Sequence, residues 1–264
     1  LGRMTTPPFP TRPVPPSSAG FRVTQGVALR IPAGALKISI DAAGYPSVEL
    51  NAMHLRLDTS IHWLEIALDH LNEAGSTHGK MLESKEKGED FGLLLQPVFK
   101  SSMQAIVASA TFFEALYAAS RECMPPARLA PRASNGSGAK RSALVTEHFK
   151  RAFGLKNAKA GDLASVLSEV YRFRDEAVHP SSSFGPAVLH PELGVLVERR
   201  LAMYTYANAR LIVRAALAYC KILPTLGEKQ GPKEIRDLAH FLLTAAAPLF
   251  AAWETSYGPL LDTP

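Results

Sequence analysis

The spacing of apolar residues changes once along this chain, at Thr59, and this change constrains the fold more than any other feature. Between Phe21 and Leu57, apolar and β-branched residues alternate or cluster in short runs separated by QG, PAG and AAGYP turns, which is typical of short antiparallel strands. After Thr59 they recur at helical spacing. The sequence therefore predicts a mainly α protein, with a small antiparallel β meander over residues 21–58 and a helical domain over residues 59–264.

The first twenty residues follow a third pattern. Thr5 to Gly20 reads TTPPFPTRPVPPSSAG, which is rich in proline and has no apolar periodicity. Such composition favours an extended chain over a packed one. We therefore predict a disordered arm over residues 1–20.

Composition narrows the class of protein. Apolar residues make up 47% of the 264 positions and charged residues 20%, and no run approaches the roughly 18 uninterrupted apolar residues of a membrane span. The N-terminus lacks the order of a secretory signal, and Cys123 and Cys220 form no CxxC pair, which fits a reducing compartment. We expect a soluble, cytoplasmic protein without a membrane segment. A net charge of +5 is compatible with a polyanionic partner.

The periodicity after Thr59 predicts six helices. Their expected ranges are Ile61 to Ala74, Asp90 to about Glu122, Arg141 to Phe153, Asp162 to Val178, Thr205 to Leu223, and Pro232 to Glu254. The second should bend near Pro97, because proline lacks a backbone donor. Its segment AIVASATFFEALYAAS is apolar nearly all round and predicts the central buried helix.

Two segments between these helices are predicted to be loops. GSTHGKMLESKEKG, after the first helix, is polar and contains three glycines. NGSGAKRS, from Asn135 to Ser142, has glycines and a lysine but neither the spacing of a Walker loop nor a preceding strand. A surface linker is the favoured interpretation of the second segment.

The stretch RFRDEAVHP, from Arg172 to Pro180, contains the residues that point to a function. With Leu163 as the origin and about 100° per residue, Arg174 lies about 20° from the centre of the apolar stripe, whereas Arg172 lies about 180° away. An arginine in an apolar stripe needs a carboxylate, a phosphate, a carbonyl or a water-filled cleft. Arg174 is thus either part of a site or the structural partner of a carboxylate such as Glu114.

The histidine of this stretch lies where the helix must stop. Pro180 disfavours helical geometry at His179, which frees the imidazole to turn back towards Arg174. A helix C-terminus also favours the protonated form of a histidine. His179 is therefore a candidate for proton transfer, or else a plain C-terminal cap.

Arg174, Asp175 and His179 resemble the motif of the HEPN domain family. This is an all-α fold whose RNase members have an arginine, a polar residue directly after it, and a histidine separated from the arginine by four to six intervening residues. The segments FFEALYAAS and YANARLIVRAALAYCKIL are also similar to helices of that family. The resemblance covers residues 90–223, and it implies a HEPN-like helical bundle as the core of the helical domain.

Other arginine–histidine pairs fit the same loose spacing: Arg56 with His62, Arg141 with His148, and Arg172 with His179. The first arginine precedes a predicted helix and the second opens one, and the third faces outward. Only Arg174 has an acidic follower, an inward direction and a helix that ends at its histidine.

The resemblance implies a metal-independent endoribonuclease that needs no cofactor and often acts as a homodimer. The ribose 2′-OH would attack phosphorus and leave a 2′,3′-cyclic phosphate. His179 can move the proton and Arg174 can hold the phosphate, while Asp175 can orient the imidazole. RNA and an antitoxin or other protein are the expected partners, in a toxin or defence role.

Three further basic residues are candidates for substrate binding: Arg172, Lys150 and Arg151. Lys150 and Arg151 lie on one predicted helix and can follow a phosphate backbone, although a solvated helix face is the favoured interpretation. No metal site is expected, because the spacing of His62 and His70 puts them off a common helix face.

A second hypothesis is that the protein has the same HEPN-like fold but no catalytic activity. A catalytically silent HEPN-like module would bind a nucleotide, RNA or a protein through the same cleft, and its β meander would provide an interaction surface. The two hypotheses differ in geometry. The enzyme requires Arg174 and His179 to reach one shared, solvent-open phosphate site, in one chain or across a two-fold axis, whereas an arginine sealed against Glu114 favours the silent module.

Overall fold

The computed structural model describes residues 26–40, 44–125, 129, 140–179 and 185–261. The predicted proline-rich arm and most of the predicted NGSGAKRS linker lie outside the described residues. The chain divides into two compact units after Arg56, close to the predicted boundary between meander and helical domain. The protein is mainly helical with a small antiparallel β unit ahead of the helices, so the predicted fold class is confirmed.

The β unit contains four short strands: β1 (Val27–Arg30), β2 (Leu36–Ile40), β3 (Pro46–Leu50) and β4 (His54–Leu57). β2 and β3 form an antiparallel hairpin, and β1 pairs with β4. The alternation of apolar and polar residues in the sequence corresponds to the two faces of this hairpin, since successive side chains of a strand point to opposite faces.

One face of the β2–β3 hairpin is entirely apolar. Its members pair across the strands as Leu36 with Leu50, Ile38 with Val48, and Ile40 with Pro46. The opposite face is polar and includes a Lys37–Glu49 ion pair of 3.8 Å. Ile38 is 67% exposed and Val48 63% exposed, and no described strand of the β unit covers their face.

The helical unit contains seven helices and one small antiparallel hairpin within the described residues. In chain order these are α1 (Ser60–Glu86), α2 (Gly92–Cys123), α3 (Arg141–Phe153), α4 (Asn157–Val178), β5 (Val188–Leu189), β6 (Leu196–Val197), α5 (Arg199–Met203), α6 (Tyr206–Gln230) and α7 (Lys233–Tyr257). The predicted helices are all present. The β5–β6 hairpin and α5 were not predicted, because each is too short to show a period.

The predicted polar loop after the first helix is wrong. α1 continues through it to Glu86, because packing overrides the local glycine signal. Met81 is fully buried against Val98 of α2. A side chain at Gly75 would come within 3.0 Å of the Tyr206 ring, so this glycine permits a close helix contact instead of ending the helix.

The helix α2 lies at the centre of the core, as its all-round apolar character predicts. Phe112, Phe113 and Leu116 are fully buried and pack among residues of every other long helix. The helix runs through Pro97 without interruption. The carbonyl of Leu93, which loses its partner to the proline, belongs to a residue that is 87% exposed, so water can replace the missing donor.

Three more helices extend beyond their predicted limits, and α7 does so by three residues, to Tyr257. α4 begins at Asn157, before the predicted Asp162, and α6 passes the predicted end at Leu223 and includes Pro224. Gly227 explains the extension of α6, because a side chain there would come within 2.8 Å of the Phe153 ring. Close packing against α3 thus continues the helix where the sequence suggested a stop.

The β5–β6 hairpin is bound to α1 by a histidine and a lysine, and a second histidine stabilises the turn of the hairpin itself. His78 of α1 lies 2.8 Å from the Glu192 carboxylate, and Lys85 donates to the Glu192 carbonyl at 2.7 Å. His190 is buried, and its Nδ1 accepts from the backbone N–H of Glu192 and of Leu193. An Nδ1 that accepts two donors is unprotonated, and burial lowers the pKa of His190.

Among the described helices, α7 alone is long and apolar enough to cross a membrane by length and composition. Core helices of soluble proteins meet the same criterion. Ile235, Leu242, Ala246 and Trp253 of α7 are buried in the core of the helical unit.

Candidate functional site

Arg174 lies near the C-terminal end of α4, four residues before its last residue Val178, on the side that faces α2. Its Nη2 and Nε donate to Asp175 Oδ1 at 2.6 and 3.0 Å, and its Nη1 lies 3.8 Å from Glu114 Oε1. The guanidinium carbon is 5.0 Å from the centre of the Tyr171 ring. About 27% of the side chain remains exposed. Arg174 is therefore anchored at the α2–α4 interface without being sealed from solvent.

Glu114 of α2 is the carboxylate that the sequence suggests as a partner for Arg174. In the structure its main partner is Arg141 of α3. Arg141 donates to both carboxylate oxygens, from Nε at 3.0 Å and from Nη2. Burial alone would raise the pKa of Glu114, but the hydrogen bonds and charge of Arg141 outweigh it and hold that pKa below its ordinary value. Glu114 is therefore a fixed anion that ties α2, α3 and α4 together.

Two tyrosines complete this arrangement. The Arg141 guanidinium lies 4.4 Å from the centre of the Tyr117 ring, and the buried Tyr171 has its pKa raised by burial and then by the nearby Glu114 carboxylate. We use the name Arg174 cluster for Glu114, Tyr117, Arg141, Tyr171 and Arg174. Aromatic faces and a fixed carboxylate orient both guanidinium groups.

A buried histidine lies beside the Arg174 cluster. The His148 ring of α3 packs edge-on against Tyr117 at 4.9 Å, and its Nε2 is 2.9 Å from Ser120 Oγ. Ser120 donates to the Leu116 carbonyl at 2.7 Å, so its oxygen is left to accept from Nε2–H. Burial, aided by the Arg121 charge, lowers the pKa of His148 to about 4. The imidazole is neutral at pH 7 and is closed to substrate.

His179 stands in a different environment. It follows the last residue of α4, with φ −125° and ψ 57°, and its backbone N–H donates to the Asp175 carbonyl at 2.9 Å. The residue is exposed, and among the described residues its ring makes no hydrogen bond or ion pair. The Asp175 carboxylate binds Arg174 instead of the imidazole, so the predicted orienting contact between Asp175 and His179 is not formed.

The three candidate substrate-binding residues lie on solvated faces. Arg172 donates to Glu169 at 2.7 Å and points away from Arg174, as the helical geometry predicts. Lys150 and Arg151, in the last turn of α3, share the Glu147 carboxylate at 3.8 and 2.6 Å. The site therefore joins Arg174 with Asp175 directly, places His179 at the same helix end, and leaves these three basic residues outside the Arg174 cluster.

Sequence reasoning missed the roles of Arg141 and His148. Arg141 and His148 do fit the loose arginine–histidine spacing. The position of Arg141 at the start of a predicted helix, however, argues against a role in the motif. Its pairing with Glu114 depends on how α2 and α3 pack. Glu114 is an acidic residue within the apolar segment FFEAL. Because a buried carboxylate needs a cationic partner, this residue is the local signal for an arginine nearby.

The candidate metal ligands His62 and His70 each pair with a glutamate on the same helix. His62 lies 2.9 Å from Glu65, and His70 lies 3.3 Å from Glu73. Within the described ranges, no group of three or more histidine, cysteine, aspartate or glutamate side chains is placed to hold a metal ion.

Comparison with known proteins gives no relative for this chain. No family model matches it, and neither the curated proteins nor the solved structures provide a match.

Proposed function

We propose that this protein is a metal-independent endoribonuclease of the HEPN type. One observation carries the proposal: Arg174 keeps about 27% of its side chain exposed at the end of the helix that also presents the exposed His179. Glu114 is bound mainly by Arg141, which donates to both of its oxygens, and its contact with Arg174 is the longer one, at 3.8 Å.

The charge around Arg174 supports an anionic substrate. Three arginines lie in or beside the Arg174 cluster, namely Arg174, Arg141 and Arg121, which donates to the Tyr117 hydroxyl. The carboxylates that contact Arg141 or Arg174 among the described residues are Glu114 and Asp175. The contact between Arg174 and Asp175 is partly exposed and is worth at most about 1 kcal/mol. A phosphate, which forms stronger bidentate bonds to arginine, can therefore replace Asp175 as its partner.

The chemistry follows from these side chains. The ribose 2′-OH loses its proton and attacks the adjacent phosphorus, and the 5′-oxygen leaves with a proton. Arg174 holds the phosphate and stabilises its developing charge, while His179 exchanges protons with the oxygens. Two copies of the motif at a two-fold axis would provide one imidazole for each transfer. The three remaining candidate residues would contact phosphates farther along the RNA. They are Arg172, Lys150 and Arg151.

Exchanging Arg174 for glutamine tests its role in cleavage. Arg174→Gln should lower the rate of RNA cleavage about 10- to 100-fold, because a charge-assisted hydrogen bond to the phosphate is lost. The measurement is the initial cleavage rate of a labelled single-stranded RNA in EDTA. Arg236→Gln is the control, since Arg236 is an exposed arginine of α7 that donates to the Gly231 carbonyl. Equal rates for the two variants would contradict the proposal.

The apolar face of the β2–β3 hairpin favours a second function, that of a non-catalytic module that binds a protein partner. Six paired apolar residues, with Ile38 67% exposed, form a surface that water solvates poorly. A second copy of the chain is the simplest partner. A toxin or defence role in the cytoplasm, with an antitoxin as partner, is compatible with either function.

Removing the apolar character of this face should weaken self-association. The double variant Ile38→Thr, Val48→Thr keeps β-branched residues and should raise the dimer Kd at least about tenfold, because each lost methyl group costs about 0.8 kcal/mol of burial. Sedimentation velocity over a concentration series measures this. Ser39→Thr with Ser47→Thr, on the polar face, is the control. A wild type that stays monomeric throughout would argue against a second copy as the partner.

A further inference from the structure

A row of side chains on one face of α2 continues beyond the Arg174 cluster. Tyr117 and Arg121 follow Glu114 by three and seven residues, a spacing that puts all three on the same face of a helix. Arg141 of α3 binds Glu114 and stacks 4.4 Å from the centre of the Tyr117 ring. We use the name arginine row for Arg174, Arg141 and Arg121, which follow one another along about 10 Å of this helix.

Arg121, at the end of the arginine row, has no carboxylate partner among the described residues. It is half-buried in the last turn of α2, where its Nη1 donates to the Tyr117 hydroxyl at 3.1 Å. This bond to a neutral group leaves the positive charge uncompensated, and the other guanidinium N–H groups make no hydrogen bond or ion pair within the described ranges. Because a partly desolvated cation is unfavourable without a counter-ion, a bound anion would stabilise Arg121.

Arg141, in the middle of the arginine row, also has unused donors. Its Nε and Nη2 bind Glu114, whereas its Nη1 makes no hydrogen bond with the residues that the structure describes. About 41% of the side chain is exposed. A guanidinium group has five N–H donors, so Arg141 can bind Glu114 and a ligand oxygen together. The three arginines of the row contact only two carboxylates within the described residues, Glu114 and Asp175, which leaves the row positively charged.

We propose that the arginine row binds the RNA backbone beside the scissile phosphate, with Arg141 and Arg121 on neighbouring phosphates that Arg174 does not contact. This inference rests on the proposed function, because it extends the same site towards the same substrate. The planar guanidinium group suits this role, since it binds phosphate oxygens in pairs and is weakly hydrated. An acidic protein segment is the other anion that such a row fits. RNA is favoured because the row begins at Arg174, which holds a phosphate in the proposed reaction.

RNA binding by the His179→Ala protein, which should not cleave its ligand, tests this inference. Fluorescence anisotropy of a short labelled single-stranded RNA at several salt concentrations gives the Kd and its salt dependence. In this background Arg121→Gln should raise the Kd about three- to tenfold and lower the slope of log Kd against log salt by about 0.7, the contribution of one phosphate contact. Arg236→Gln, at an exposed arginine of α7 that also donates to a neutral group, should change neither quantity.

Arg141 needs a different substitution, because Arg141→Gln would also remove the main partner of Glu114. Arg141→Lys keeps a cation beside this carboxylate and loses the planar fork. It should therefore raise the Kd for RNA about threefold or more with little change in the salt slope. The melting temperature of each variant, recorded on the same preparation, shows whether the helices remain packed.

The outcomes separate this inference from the RNase proposal. If the wild type does not cleave RNA but the His179→Ala protein binds it in an Arg121-dependent way, the RNase proposal fails and this inference stands. Cleavage by the wild type, with an unchanged Kd and salt slope in Arg121→Gln, would overturn this inference alone. No RNA binding by the His179→Ala protein would overturn it as well.

Two further results would assign the arginine row to another role. A lower melting temperature of Arg121→Gln with unchanged RNA binding would assign Arg121 to the C-terminal end of α2, where a cation is favourable. A poly-aspartate peptide that displaces the RNA as well as unlabelled RNA does would assign the row to an acidic protein partner. Either result would overturn the inference.

Discussion

His179→Ala should lower the rate of RNA cleavage by about 10²- to 10⁴-fold, the usual contribution of a general acid or base. The imidazole is exposed and makes no side-chain hydrogen bond to the described residues, so its removal should leave the melting temperature unchanged. Loss of activity would therefore report on chemistry and not on folding. The measurement is a single-turnover cleavage rate with the melting temperature recorded for the same preparation.

His240→Ala is the matched control for this variant. His240 of α7 is also exposed, with its ring 3.4 Å from Glu228, and it lies outside the motif. Cleavage by the control at the wild-type rate, with a large loss in His179→Ala, is the expected pattern. An equal rate in the two variants would remove His179 from the reaction.

Stability should fall by about 2–3 kcal/mol between pH 7.5 and pH 4.5 because of His148 alone. Its pKa is about 4 in the folded protein and about 6.5 in an unfolded chain. Between these values the unfolded state binds the proton and the folded state does not, so the free energy of unfolding decreases as the pH falls through this window. The buried Nδ1 has no hydrogen-bond partner among the residues that the structure describes, which leaves the protonated form no acceptor there.

Chemical denaturation at several pH values measures this dependence, and His148→Phe isolates it. Phenylalanine fills most of the site without a titrating group, so the difference in unfolding free energy between the variant and the wild type should change by about 2–3 kcal/mol over the same window. A difference that is independent of pH would show that His148 is not held neutral by its surroundings.

The parts of the fold that local signals determine were predictable. The predicted range of α3, Arg141 to Phe153, agrees with the structure, because Gly154 ends the helix with φ +71°, a conformation that glycine adopts freely. The end of α1 was not predictable from local signals. Its glycines resemble a loop, and only the contact of Gly75 with the Tyr206 ring, distant in sequence, shows why the helix continues.

The candidate site was predictable to a similar extent. The inward direction of Arg174 followed from the helical period, and the structure places this side chain near Glu114 at 3.8 Å. The stronger bond from Arg141 to Glu114 was not predictable, since it depends on how α3 packs against α2. The predicted contact between Asp175 and His179 is also not formed. The adjacent Arg174 guanidinium binds the Asp175 carboxylate in place of the imidazole.

Analysis of the RNA product ends in excess EDTA tests the RNase proposal most directly. The wild type should cleave a labelled RNA and leave 2′,3′-cyclic phosphate ends with 5′-hydroxyl partners, since the 2′-OH attacks and the 5′-oxygen leaves. His179→Ala should give neither product. No cleavage by the wild type, or cleavage that leaves 3′-hydroxyl ends, would contradict the proposed reaction.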